Sequence, residues 1–209
     1  MHKRFVVASF VFLLAGVSFA QGIAVVGGCS IRRGTFCANM NLQGADLSGA
    51  NLANSQFSRS VLSGANLTGT NFNEANLRGA DLRQADLSEA SLVRANATGA
   101  NLSDARLAGA DLRSAILQNA NLSNADLGGA LLSGANLTNA RLGGARLDDA
   151  DLQRANLRSV DLRGATLIGA NLQGTDFSRA NLTDVDLSGA NVDQAVFTGA
   201  QTAGCTGCP

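Results

Sequence analysis

Apolar side chains recur along this chain at a spacing of five. From Met40 to Gly204 the five-residue unit repeats 33 times without an insertion or deletion, in the form Ala-(Asn/Asp)-Leu-X-X, as in Ala45-Asp46-Leu47-Ser48-Gly49 and Ala135-Asn136-Leu137-Thr138-Asn139. With the Leu position called i, Leu fills 26 of the 33 sites, and Phe57, Phe72, Phe177 and Phe197 fill four more. Ala fills i−2 in 26 pentads; Met40, Ser55, Ser60, Thr70, Val160, Thr175 and Val185 are the exceptions. Five matches neither the 3.6-residue period of a helix nor the period of two of a plain strand. An α-helix would spread one apolar residue in five around all its sides. The pair i−2 and i suits a short extended piece, because alternate side chains of a strand share a face. Position i−1 then points outward, and it is Asn or Asp in 22 pentads. Positions i+1 and i+2 form a corner, and Gly takes i+2 in 16 pentads, where left-handed backbone costs it little. Self-similarity at a fixed short period predicts a stacked β-solenoid.

This pattern resembles the pentapeptide repeat family over about four-fifths of the chain. The resemblance implies an all-β fold, a right-handed quadrilateral β-helix with four pentads per coil and about eight coils, with Leu at i and Ala at i−2 in stacked interior columns. At roughly 4.8 Å between paired strands such a rod is on the order of 40 Å long. The organisation expected is a signal peptide over 1–20, an N-terminal cap region over 21–39, the repeat rod over 40–204 and a Cys-x-x-Cys tail over 205–209.

The signal-peptide expectation rests on the basic start His2-Lys3-Arg4, the apolar run Phe5–Val17 and the small residues Ser18 and Ala20 before a cleavage site after Ala20. A 13-residue apolar run falls short of a bilayer span, and no later stretch is apolar enough to cross a membrane. Export to the periplasm or outside the cell is the expected destination. Ile23-Ala24-Val25-Val26 reads as a short strand over the first coil, with Gly27-Gly28 as its turn.

Four cysteines remain after cleavage, and an even count in an exported chain reads as disulfides. A bridge needs Cα atoms within about 7 Å, so opposite ends of a rod about 40 Å long are out of reach. Within a monomer this leaves Cys29–Cys37 and Cys205–Cys208. An intermolecular link between rod ends is the alternative, and Cys37, in the i register, also reads as a buried core thiol. Cys205-Thr206-Gly207-Cys208 has the spacing of redox dithiols, which keeps a redox or metal role open as the second functional reading, though no βαβ context surrounds it.

The full chain is formally neutral; without Lys3 and Arg4 it carries 14 Arg against 16 acids and no Lys or His. That balance argues against nucleic acid as a partner. If residues twenty apart stack, the charges separate. One face gathers Asp46, Asp86, Glu89, Asp126, Asp148, Asp149 and Asp186 against Arg106 and Arg146; the opposite face gathers Arg59, Arg78, Arg158 and Arg179 against Asp176. Alternating Asp86, Arg106, Asp126 and Arg146 also reads as pairing between coils. The exposed apolar residues Val61, Val93, Ile116, Leu131, Ile168 and Val196 are scattered over all four faces. The Asn-rich i−1 positions, Asn76, Asn96, Asn136 and Asn156 among them, read as turn caps and inter-coil pairs.

Catalysis is not expected: no histidine is left for base work, no phosphate loop occurs and no cofactor is implied. The quinolone-resistance members of the family bind a topoisomerase as DNA mimics, but that role wants a cytoplasmic, strongly acidic rod. The expectation is an exported structural or protein-interaction scaffold with an unidentified protein partner. Thr202 breaks the apolar column and only seven residues follow it, so an end-to-end homodimer is a further expectation, which the resemblance supports; a monomer sealed by the Cys205–Cys208 loop is the alternative.

Overall fold

The computed structural model describes residues 18–20 and 23–209. The apolar run Phe5–Val17 lies outside the described residues. Three short strands, β1 (Ser18–Ala20), β2 (Ile23–Val26) and β3 (Cys29–Ser30), form an antiparallel sheet in that order. Gly27 and Gly28 turn β2 into β3 with φ of 55° and 81°. A Cβ on Gly27 would stand 2.8 Å from the Asn41 carbonyl, so the turn lies directly against the first coil. The strand expected over 23–26 is present.

Beyond the sheet the backbone is a parallel ladder in which each i−1 residue pairs with the one twenty further on, from Phe36↔Gln56 to Asp186↔Thr206. Four pentads therefore make one coil. The expected rod limits of 40 and 204 fall inside this ladder. Phe36 and Thr206 already pair, because pairing needs backbone in register and tolerates a missing Leu. No helix occurs among the described residues.

One pentad accounts for the whole. Leu47 N–H donates to the Asn66 carbonyl at 2.8 Å, Gly49 N–H to Thr68 at 2.8 Å, and Asn66 N–H to Ala45 at 2.9 Å, all between adjacent coils. Ala50 N–H closes the corner on the Leu47 carbonyl at 3.0 Å. Four of five amides are thereby satisfied by backbone. The fifth, at i+1, is met by the side chain at i−1: Ser48 N–H donates to Asp46 Oδ1 at 3.1 Å. The same bond forms in all 22 pentads that carry Asn or Asp at i−1. A short side chain that reaches its own backbone two residues on is an Asx turn, which Gln, Val or Leu cannot make.

Every i+2 residue of the 33 pentads has positive φ, whether Gly or not, from Arg154 at 54° to Gly189 at 71°. That is the requirement of the second central residue of a type II turn. Inside, the Leu and Ala columns from Leu52 to Leu187 are almost fully buried. Of the i−2 exceptions, Ser60, Thr70 and Thr175 are buried too. Their hydroxyls donate to the carbonyls of Phe57, Leu47 and Leu152 at 2.6, 2.8 and 2.7 Å, so their polarity is met by the backbone. Phe57 packs edge-on against Phe72, and Phe177 stacks on Phe197.

The two ends differ. Cys29 and Cys37 are buried and joined in a disulfide with Cα atoms 5.4 Å apart. Cys37 is thus both a column residue of an earlier pentad and a bridge to the cap. At the far end Val192, Phe197 and Ala200 are only partly buried, and the amides of Val192, Gln194, Phe197, Gly199 and Thr202 have no partner among the described residues. Cys205–Cys208 closes that end with Cα atoms 5.8 Å apart.

Candidate functional site: opposed charged faces

Two corners separate the acidic face from the basic face, and the ladder stacks each face's residues at intervals of twenty. On the acidic side the expected pairing between coils is present. Arg106 donates to Asp86 at 2.9 Å, and Arg146 to Asp126 at 2.6 Å while lying 3.8 Å from Asp148. Asp86 is held below the usual carboxylate range by the Ser88 side chain, with Arg106 adding to it. At Asp126 burial pushes upward, but hydrogen bonds from Arg146 and the Gly128 amide outweigh it and the net shift is down. Asp46, Glu89, Asp149 and Asp186 form no ion pair among the described residues.

On the basic side Arg59, Arg78 and Arg179 are exposed and likewise unpaired, and Arg158 reaches Asp176 at 3.7 Å. The cause is local. In Asp81-Leu82-Arg83, Asp111-Leu112-Arg113 and Asp161-Leu162-Arg163 the guanidinium folds back on its own pentad and grips the carboxylate through Nε and Nη2. That grip lowers the pKa of all three aspartates, the arginine hydrogen bond being the largest cause. In Asn76-Leu77-Arg78 and Asn156-Leu157-Arg158 the i−1 residue is neutral, so the arginine stays free of its own pentad. The self-neutralising Asp-Leu-Arg triplets lie on the other two faces and were legible as a motif, though face-by-face charge counting passes over them.

Two shallow open grooves of ≈310 and ≈420 Å³ lie on the faces between, one along Asn51, Asn71, Asn73 and Arg94, the other along Ser63, Arg83 and Ser103. Glu74 and Arg94 pair across the first. Among the described residues no three His, Cys, Asp or Glu side chains gather as a metal site, and no helix is long and apolar enough to cross a membrane. Among the described residues the large exposed apolar side chains are single ones, Ile116, Leu131, Ile168, Val196 and Phe36, the last 85 % exposed at the i−1 place of the early pentad that a start at Met40 leaves out; Val61 and Val93, expected with them, are half-buried because neighbouring coils cover part of each.

Such a molecule is a β-solenoid whose side chains stack coil on coil. Pentapeptide repeats match in eight copies, spanning residues 41–79, 75–113, 90–129, 115–154, 130–167 and 161–199. The chain belongs to the pentapeptide repeat family. Among solved structures it is similar to HetL of the cyanobacterium Nostoc sp. strain PCC 7120, a pentapeptide repeat protein involved in heterocyst differentiation regulation, with 32% identity, 83% of this chain and 91% of that chain covered, and a TM-score of 0.53. Rfr23 of the cyanobacterium Cyanothece 51142 is 32% identical over 48% of this chain and 63% of its own, with a TM-score of 0.28. QnrB1, a plasmid-mediated fluoroquinolone resistance protein, is 20% identical over 81% and 90%, with a TM-score of 0.45. No curated protein matches the sequence.

Proposed function

We propose that this chain is an exported, non-catalytic scaffold for protein–protein interaction, a right-handed quadrilateral rod that presents its partner with a surface of set length. One observation carries the reading: among the described residues the two opposed faces each hold charge of one sign outside ion pairs, Asp46, Glu89, Asp149 and Asp186 on one and Arg59, Arg78 and Arg179 on the other, whereas the faces between them mix both signs, Asp104, Arg141, Asp151 and Arg154 being unpaired there. Export is supported by the basic-apolar-small order of residues 2–20 and by two disulfides, which persist in oxidising compartments. Cleavage after Ala20 removes β1 and leaves β2 as the outer strand of the cap. An end-to-end homodimer is supported by the open last coil, whose free amides and half-buried Phe197 are what a second end would cover.

The test is expression of the full precursor, fractionation, and a pull-down from the exported fraction. The mature chain is expected to begin at Gln21, and Arg158→Ser to keep the fold while weakening retention of a specific partner. A precursor kept whole in the cytoplasm overturns export. A partner retained equally by variants of both charged faces overturns the docking role. Thiol titration of the native protein is expected to find no free thiol; two reactive thiols at Cys205 and Cys208 would favour the redox reading.

A further inference from the structure

On the two opposed faces seven charges make no ion pair among the described residues, and an eighth, Arg158, reaches Asp176 only at 3.7 Å. On the basic face Arg59 and Arg78 form one group and Arg158 and Arg179 another, with midpoints at residues 68–69 and 168–169. On the acidic face Asp46, Glu89, Asp149 and Asp186 follow one another at about two, three and two coils, and the midpoints of the first two and of the last two fall at 67–68 and 167–168. Both pairs of midpoints are 100 residues apart. Because the ladder advances one coil per twenty residues, that is five coils, about 24 Å at roughly 4.8 Å each. The charges of the two faces are therefore centred on the same two heights, one sign on each side.

Two of the acidic charges are surplus to the fold. Asp46 and Asp186 cap their turns through Oδ1, which Asn does elsewhere in the same ladder. Between Glu89 and Asp148 the acidic face is low, with Ala108, Gly109, Gly128 and Gly129 at its corners, and its one carboxylate there, Asp126, is paired with Arg146. The basic face there is uncharged, with Ile116 standing out 37 % exposed.

We propose that the partner of these faces is a second copy of this chain: rods lie side by side, parallel and without axial shift, the acidic face of one against the basic face of the next. The contact is heterologous, so it leaves one face of each kind free and extends into open rows instead of closing as a dimer. A face about 10 Å wide and about 40 Å long buries roughly 400 Å² per copy, half of what a stable interface buries. The rows form at high local concentration and are governed by charge. This requires only that the chain be a folded rod, and it stands apart from the scaffold's capture of other proteins.

Sedimentation and light scattering of the purified mature chain test it. Raising concentration in about 10 mM salt is expected to increase the average mass, and about 150 mM salt to reverse it, as the screening length falls from about 30 Å to about 8 Å. Arg59→Glu/Arg78→Glu/Arg158→Glu/Arg179→Glu is expected to abolish the increase, as is Asp46→Arg/Glu89→Arg/Asp149→Arg/Asp186→Arg. An equimolar mixture of the two variants is expected to recover it. Circular dichroism melting confirms that each variant is folded, and the salt response of the unaltered chain decides the matter if one is not. A mass that does not rise at low salt, or association that survives the charge reversals or the added salt, overturns the proposal; the last outcome is that of an end-to-end contact. A purified rod that fails to self-associate yet captures a partner from the exported fraction leaves the scaffold reading standing alone.

Discussion

At the scale of single residues the repeat is a solution to hydrogen-bond supply. Leu at i and Ala at i−2 were legible as core from periodicity alone. The need for Asn or Asp at i−1 was not, since an outward polar residue suits many roles. Only the ladder shows that four amides per pentad are used and the one at i+1 is left for Oδ1. Asn136→Ala frees the Thr138 amide, which now donates to Asn136 Oδ1 at 3.1 Å. The expected loss is about 1 kcal/mol, against little change for Asn136→Asp, read by thermal or denaturant unfolding. The i+2 site makes an equally sharp demand. At Gly64, φ is +65° and an added Cβ meets nothing within 4 Å, so substitution isolates backbone strain. Gly64→Asn is expected to be mild, because Asn elsewhere takes this conformation, as at Asn119 and Asn139. Gly64→Val is expected to cost about 2 kcal/mol more, since a β-branched residue resists positive φ.

At the scale of the pentad and the coil, burial is continuous and every element leans on the next. Leu137 is 0 % exposed in the middle of the rod. Leu137→Asp would bury a carboxylate with no cation beside it and is expected to unfold the central coils, seen as loss of cooperative melting by circular dichroism. Coil boundaries were the least legible feature in the sequence. Ladder pairing reaches Phe36 and Thr206, beyond the expected 40 and 204, because parallel backbone bonds ask less of a residue than the Leu column does. Cys37 illustrates the same point: its i register and its disulfide looked like rival roles and coexist at one end-of-rod position. The Asp-Leu-Arg grips belong to this scale too. The folded pKa of Asp81, Asp111 and Asp161 lies below the unfolded value near 3.9, so the stability they add is present above about pH 4 and is lost as pH falls through the folded values. Melting temperature is expected to be flat from neutral pH to about pH 5 and to drop below about pH 4. Arg83→Ala is expected to reduce that drop slightly, the pair being surface-exposed and of modest worth.

At the scale of the whole molecule, the split into unlike faces was legible because the register never slips, and the ladder pairs residues twenty apart from end to end. What counting charges did not reveal is how many of them cancel in place. Arg94, Arg106, Arg146, Arg158 and the three Asp-Leu-Arg arginines are engaged, and the remaining charges define the surface available to a partner. The pairing of every residue with the one twenty further on has a further consequence: length and azimuth are separate variables. Removing residues 159–178 takes out one whole coil and leaves every later side chain on its own face, only closer to the start. Removing 160–164 takes out one pentad, keeps the Leu and Ala columns filled, and turns Arg179 and Asp186 a quarter of the way round the axis. Both deletions are expected to melt cooperatively; low-salt sedimentation is expected to retain the concentration-dependent increase in mass for the first and lose it for the second. Twenty residues is thus the unit in which this rod can be lengthened or shortened while keeping its bearings, and five is the unit in which it can be re-aimed.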